Sequence, residues 1–213
     1  MRQLLLLFLL GCGVPALVFA QGPRSDAPRL QVSVKRVMQD ALHMYEIDAT
    51  GTVQAPLPTV WRILTGYDRM DEFVPDLVSC RVLSRNGNEV IIEQFGNARF
   101  LFMSRSIHLI VRATEQPMSS IDIALISGDM KHYESRWELV PVPETGGTRV
   151  LYTGRMMPNF YVPGILGTNI IRGDIERMMG AVLARLDKGI APRTPAAGSD
   201  MARSGGTALP APR

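Results

Sequence analysis

His43, His108 and His132 are the chain's three histidines, and Cys12 and Cys80 its two cysteines. Metal, acyl-transfer or thiol chemistry needs such side chains gathered with partners in one place. Here the histidines are scattered over separate segments, and no Cys-x-x-Cys pair is present. Gly-x-Ser-x-Gly, phosphate-loop and His-Glu-x-x-His signatures are also missing. Cys80 falls in the alternating run Leu77–Leu83 and reads as a small packed hydrophobe, not a nucleophile. The sequence therefore predicts no metal site, no cofactor and no catalytic residue. Gln94, Arg105, His108, Arg136 and Arg155 are the polar side chains that could reach an interior. Arg136 or His108, with Tyr152, could steer a reactive ligand if they converged on one pocket.

The apolar residues carry more information. Met156, Met157, Met178 and Met179 crowd the C-terminal part of the domain. Thioethers adapt to irregular shapes, so they suit a pliable ligand wall as well as a core. Trp137 and Tyr152 fall on neighbouring predicted strands, with Trp137 sharing a face with Ser135 and Leu139. Phe73, Phe95, Phe102, Leu109, Leu125 and Met156 are further candidate lining residues, as are Ile171, Ile175 and Met178 on one helix face. The segment Pro158–Leu166 carries Phe160, Tyr161 and Ile165 together with two prolines and a glycine. Such an apolar stretch suits a gate over a cavity mouth or a foot on a membrane surface; Phe160 and Ile165 folding inward as a plug is the alternative.

The elements that would position these groups begin after a leader. Arg2, the apolar run Leu4–Leu10 and Val18-Phe19-Ala20 form a signal peptide over residues 1–20, with the mature chain starting at Gln21. Leu9-Leu10-Gly11-Cys12 offers a second route, lipidation at Cys12. Both imply export, with the periplasm as the expected compartment and secretion or lipid anchoring as alternatives. Residues 21–187 carry 18 basic against 19 acidic side chains, while 188–213 carry four against one. The excess positive charge sits in the tail and not in the domain, which disfavours nucleic acid as a partner. That tail, rich in Pro, Ala and Gly, is expected to be disordered.

Residues 21–36 read as a lead-in, although Leu30–Val37 and Met44–Val53 already alternate as strands. Pro56 and Pro58 open a short helix, and Met70–Phe73 makes a second turn that stops at Pro75. Six strands follow, over 77–83, 90–95, 102–113, 121–127, 133–140 and 150–157. Asn86-Gly87-Asn88, Gly96-Asn97, Gln116-Pro117, Gly128-Asp129 and Gly146-Gly147 separate them, the chemistry of tight antiparallel turns. The chain closes with a long helix over Gly167–Asp187, whose Ile171, Ile175, Met178, Val182 and Leu186 share a face. Gly167, Gly173 and Gly180 lie within it, from close approach to the sheet or from flexing of the helix.

Gly128–Pro163, with Val60-Trp61-Arg62-Ile63-Leu64 and Tyr67 through Phe73-Val74-Pro75, resembles the coenzyme Q-binding START-domain family. That family belongs to the wider polyketide cyclase/dehydrase-like SRPBCC group. The resemblance spans Val37–Leu186 and implies an α+β helix-grip (START-like, Bet v-like) domain over 37–187, a curved antiparallel sheet around a long C-terminal helix. It also implies a hydrophobic tunnel with Phe160, Tyr161 and Ile165 at its entrance. The expected activity is binding or carriage of a quinone, isoprenoid or other lipid; a cyclase or dehydratase acting in the same cavity is the alternative.

Overall fold

The computed structural model describes residues 30–39, 42–100, 103–160, 162 and 164–189. The expected leader and nearly all of the expected C-terminal tail lie outside these residues, as does Cys12.

Eight antiparallel strands form one sheet: β1 Leu30–Gln39, β2 Leu42–Val53, β3 Leu77–Asn86, β4 Glu89–Phe100, β5 Met103–Gln116, β6 Ser120–Gly128, β7 Met130–Val142 and β8 Gly147–Pro158. Their spatial order is β1-β2-β8-β7-β6-β5-β4-β3, so β3 to β8 form the predicted meander and β2 closes on its last strand. Between β2 and β3 lie helix α1, Leu57–Leu64, and a 3₁₀ helix, Tyr67–Glu72. Helix α2, Gly164–Lys188, packs across the concave face against β1, β2 and α1. This is the helix-grip arrangement.

Alternation decides which side chains face α2. Tyr45, Ile47 and Ala49 of β2 are buried, as are Ile107, Leu109, Val111 and Ala113 of β5. Cross-strand register carries that face across the sheet, pairing Ile121 with Trp137 and Trp137 with Tyr152. Ile171, Ile175, Met179, Val182, Leu183 and Leu186 of α2 are buried against it. The opposite face carries ion pairs, including Arg136 with Asp122 at 2.7 Å and Arg81 with Glu93 at 2.6 Å. One face apolar and the other charged is the pattern of a sheet covered on one side.

Two boundaries differ from expectation. The described sheet already includes Leu30, ahead of the expected domain start at 37, because β1 pairs with β2 along its full length. Gly96-Asn97 is no turn: Gly96 pairs with Ile107 on one side and Leu77 on the other, and β4 runs on to Phe100. The glycine is explained by the Asp76 carbonyl, which would stand 3.0 Å from an added Cβ. Gly128 does turn, at φ +134°, with the His108 carbonyl where a Cβ would sit. Of the helix glycines, Gly167 lets α2 approach Tyr45 and Val162, each 2.6 Å from an added Cβ, whereas Gly173 and Gly180 have nothing within 4 Å.

Candidate functional site

Sheet and helix do not fill the space between them. A cavity of about 170 Å³ remains, walled by Leu64, Tyr67, Met70, Phe73 and Val74 from the helical connection and by Leu77 at the start of β3. Ile92 and Gln94 come from β4, Ile121 and Ile123 from β6, Tyr133 and Trp137 from β7, Tyr152 from β8, and Met178 and Val182 from α2. The 3₁₀ helix supplies one wall because Tyr67, Met70 and Phe73 recur every third residue and so share one side of it. Trp137 and Tyr152 meet directly across β7 and β8, their ring centroids 4.8 Å apart and tilted by 59°.

Few polar atoms reach this space, and most of those are held. The Tyr67 hydroxyl donates to Glu115 Oε1 at 3.0 Å, and Arg85 Nη1 donates to the same carboxylate at 3.0 and 3.1 Å. Burial pushes the Tyr67 hydroxyl far up from its ordinary pKa, and the adjacent Glu115 charge adds to this. Tyr152 is likewise pushed well up by burial, with Tyr133 contributing. Its hydroxyl lies beside Tyr133 and Ser135, and the Ser135 Oγ is buried without a well-formed hydrogen bond. Gly154, opposite Ser135, makes room for that hydroxyl, which would stand 3.2 Å from an added Cβ. Among the described residues, Gln94 Nε2 has only the Cys80 sulfur as a partner, at 3.8 Å. Cys80 is buried and its thiol is pushed up to about 11, chiefly by burial. The cavity thus holds neutral hydrogen-bonding groups and no free charge. Among the described residues no group of His, Cys, Asp or Glu could hold a metal ion.

Of the sequence-derived candidates, Phe73, Trp137, Tyr152 and Met178 lie on this wall. Leu109, Leu125 and Met156 face the same side of the sheet but pack in or against the core, and Ile171 and Ile175 are core residues of α2. Phe95 is a correction. It is 38% exposed on the outer face and stacks on His108 at 4.3 Å, because strand parity places it with Glu93 while Ile92 and Gln94 point inward. Phe160 is a second correction: it packs beside Arg36, His43 and Tyr45 in a separate recess, not at the mouth of the cavity. Phe102 and Tyr161 lie outside the described residues, and so does the Ile165 side chain. Of the polar candidates only Gln94 enters the cavity. Arg136, His108 and Arg155 sit on the outer face, bound to Asp122, to Glu93, and to Glu46 and Glu134.

Tyr67, Met70, Ile123 and Tyr133 went unrecognised as lining residues. The three-residue recurrence of the 3₁₀ helix and the shared parity of Tyr133 with Trp137 were readable signals for them. The mouth was not readable. Val74, Leu77 and Met178 belong both to the cavity and to an outer groove between α2 and the start of β3, so the cavity opens there. Arg177 of α2 spans that groove to Asp76 at 3.0 Å.

Residues 53–183 match the family described as polyketide cyclase/dehydrase and lipid transport. The chain belongs to this family, whose members bind hydrophobic ligands or transport lipids and include cyclases. No curated protein matches the sequence. Among solved structures, the chain is similar to a STAR-related lipid transfer protein from Xanthomonas axonopodis, at 17% identity and TM-score 0.62, over 76% of this chain and 95% of that one. A START superfamily protein from Mycobacterium smegmatis is similar at 18% identity and TM-score 0.59, over 67% and 97%. The Zhui aromatase/cyclase from Streptomyces sp. R1128 is similar at 15% identity and TM-score 0.56, over 68% and 95%. At these identities the likeness is one of fold.

Proposed function

We propose that the protein is an exported carrier that holds one hydrophobic molecule, a quinone, isoprenoid or other lipid, between the sheet and α2. The observation that carries this reading is the cavity of about 170 Å³, with aromatic and aliphatic walls and a few neutral polar tips. Burying about ten CH₂ groups is worth on the order of 8 kcal/mol, which has to exceed an association cost of at least ~4 kcal/mol. Sequestration then needs no covalent chemistry. Gln94, whose amide has only a weak sulfur contact, is the group best placed to donate to a ligand carbonyl. That favours a quinone or ketone head over a plain alkane. The ligand enters between Val74, Leu77 and Met178, and contact of the Phe160–Leu166 segment with a membrane brings the protein to its source. Export rests on the N-terminal leader, and the periplasm is the proposed compartment.

A cyclase reading is favoured by one feature, the buried Ser135 hydroxyl beside Tyr133 and Tyr152. Burial pushes the Tyr152 hydroxyl well up from its ordinary pKa, so it would orient a polyketone without trading protons with it. Native mass spectrometry with solvent extraction, on protein purified from the cell envelope without detergent, separates the readings. A quinone or lipid at near one-to-one occupancy supports the carrier. Empty protein that takes up neither quinones nor fatty acids refutes it.

A further inference from the structure

At the end of the sheet where β1 stops and β2 begins there is a second recess of about 170 Å³. Its lining combines Arg36, His43 and Lys131 with the apolar Met157, Phe160 and Val162. Among the described residues no acidic side chain lines it, and none of the described ion pairs involves Arg36, His43 or Lys131. Arg36 Nε is buried with no hydrogen-bond acceptor among the described residues. A buried donor left unmade is costly, most of all on a charged group, so an anion placed here would relieve a cost the fold already bears. Arg105 adds a further guanidinium at the rim, 4.9 Å from the centre of the Phe160 ring. The nearby carboxylates are committed elsewhere, Asp129 to the His108 amide at 2.9 Å and Glu46 to Arg155. Exposed apolar groups stand close by: Met38, paired with His43, is 62% exposed, and Leu166 at the start of α2 is 43% exposed.

We propose that this recess takes the phosphate of an anionic phospholipid at a membrane surface. Arg36 and Lys131 would hold the phosphate, while Phe160 and Met157 meet the start of the acyl chains. A free phosphate would use the basic side chains alone and leave Met157, Phe160 and the exposed Met38 without a role; a bilayer interface uses all of them. The inference rests on the carrier reading for its purpose, in that a lipid carrier must visit a membrane, but the recess shares no residue with the central cavity.

The test is cosedimentation of the protein with vesicles of phosphatidylcholine alone and of phosphatidylglycerol mixed with phosphatidylcholine, at rising salt. Binding is expected only with the mixed vesicles, weakening as salt is raised. Arg36→Gln should weaken it about fivefold, and Lys131→Glu, an exposed side chain whose charge is reversed, about tenfold or more. Equal binding to both vesicles, or unchanged binding by both variants, overturns the proposal. So does saturation by inorganic phosphate, read by thermal shift, in protein that ignores the vesicles, since that makes the recess a soluble-anion site. Quenching of Trp137 by a decyl-substituted benzoquinone, measured on the same variants, reports the cavity separately. Loss of vesicle binding with quenching retained assigns the recess alone; loss of quenching in the parent protein sinks the carrier reading without touching this one.

Discussion

Replacing Met178 by Phe should shrink the central cavity while sparing the packed layer beneath it. Met178 is half-buried and shared between the cavity and its mouth, whereas its neighbour Met179 is fully packed and would not admit a larger group. A benzyl group brings about three more heavy atoms than the thioether, and each apolar ligand carbon it displaces forfeits ~0.8 kcal/mol of burial. Losing two or three of them costs about 2 kcal/mol, or on the order of 30-fold in Kd. The readout is quenching of Trp137 emission by a decyl-substituted benzoquinone. Trp61→Phe in the parent background removes the other tryptophan, which lies on α1 outside the cavity wall. Phe95→Ser is the control, because that ring stands on the outer face against His108 and should leave Kd unchanged. Unaltered affinity in Met178→Phe, or an equal loss in Phe95→Ser, would refute the placement of ligand between sheet and helix.

Stability offers further checks. Cys80 has its pKa raised in the folded state, so its contribution is complete below about pH 9 and is lost as pH rises toward about 11. The loss runs at ~1.4 kcal/mol per pH unit, and Cys80→Ala should flatten urea-unfolding stability across pH 9–10, just before the buried tyrosines begin to contribute. Gly180→Ala, with open space around it, should stabilise by about 1 kcal/mol, seen as a rise in Tm of roughly 2–4 °C. Gly167→Ala should lower Tm instead, since the methyl meets Tyr45 and Val162. Glu115→Gln strips the charge that Tyr67 and Arg85 share, and should cost about 1–3 kcal/mol by urea titration. Arg177→Ala releases the exposed bridge to Asp76 across the mouth; exposed pairs are worth at most ~1 kcal/mol, so quinone release in stopped flow should quicken by no more than about fivefold, with Tm unchanged.

What the sequence made legible follows from how local each signal is. Turn residues and alternation located all six strands of the meander, and the steps of four and three from Ile171 to Leu186 located the buried face of α2. Period-two parity also placed Trp137 correctly, because its neighbours Ser135 and Leu139 leave no ambiguity about which way β7 faces. The same parity was available for Phe95. Ile92 and Gln94 point inward, so Phe95 must point out, yet an aromatic ring weighs toward the interior when residue type is allowed to outrank position. Phe95 can afford the outer face only because His108, its register partner, covers it. Gly96 misled in a similar way: a glycine beside an asparagine reads as a turn, but here it clears space for the Asp76 carbonyl, a contact twenty residues away. The Tyr67–Glu115–Arg85 cluster and the Arg36–Lys131 recess join segments still further apart, and no local pattern announces them.

The polar content of the cavity has its own logic. Tyr67, Tyr133 and Tyr152 occupy positions whose parity or helical side is inward, where aliphatic residues would serve the core equally well. A tyrosine at such a position contributes a ring to the apolar wall and carries its hydroxyl to the far end of that ring, so polarity is delivered without a charge being buried. Glu115, which accepts from the Tyr67 hydroxyl, is neutralised by Arg85 and capped by Tyr67, which keeps its field from the cavity. A site built this way discriminates by shape and by one or two neutral hydrogen bonds. It should accept quinones and isoprenoid alcohols of similar width with affinities close to one another and reject fatty-acid carboxylates, whose charge would have no partner inside. Competition of palmitate against decyl-benzoquinone at Trp137 decides this: displacement at equal concentrations would mean that a cation reaches the cavity, and the neutral-wall account would have to be abandoned.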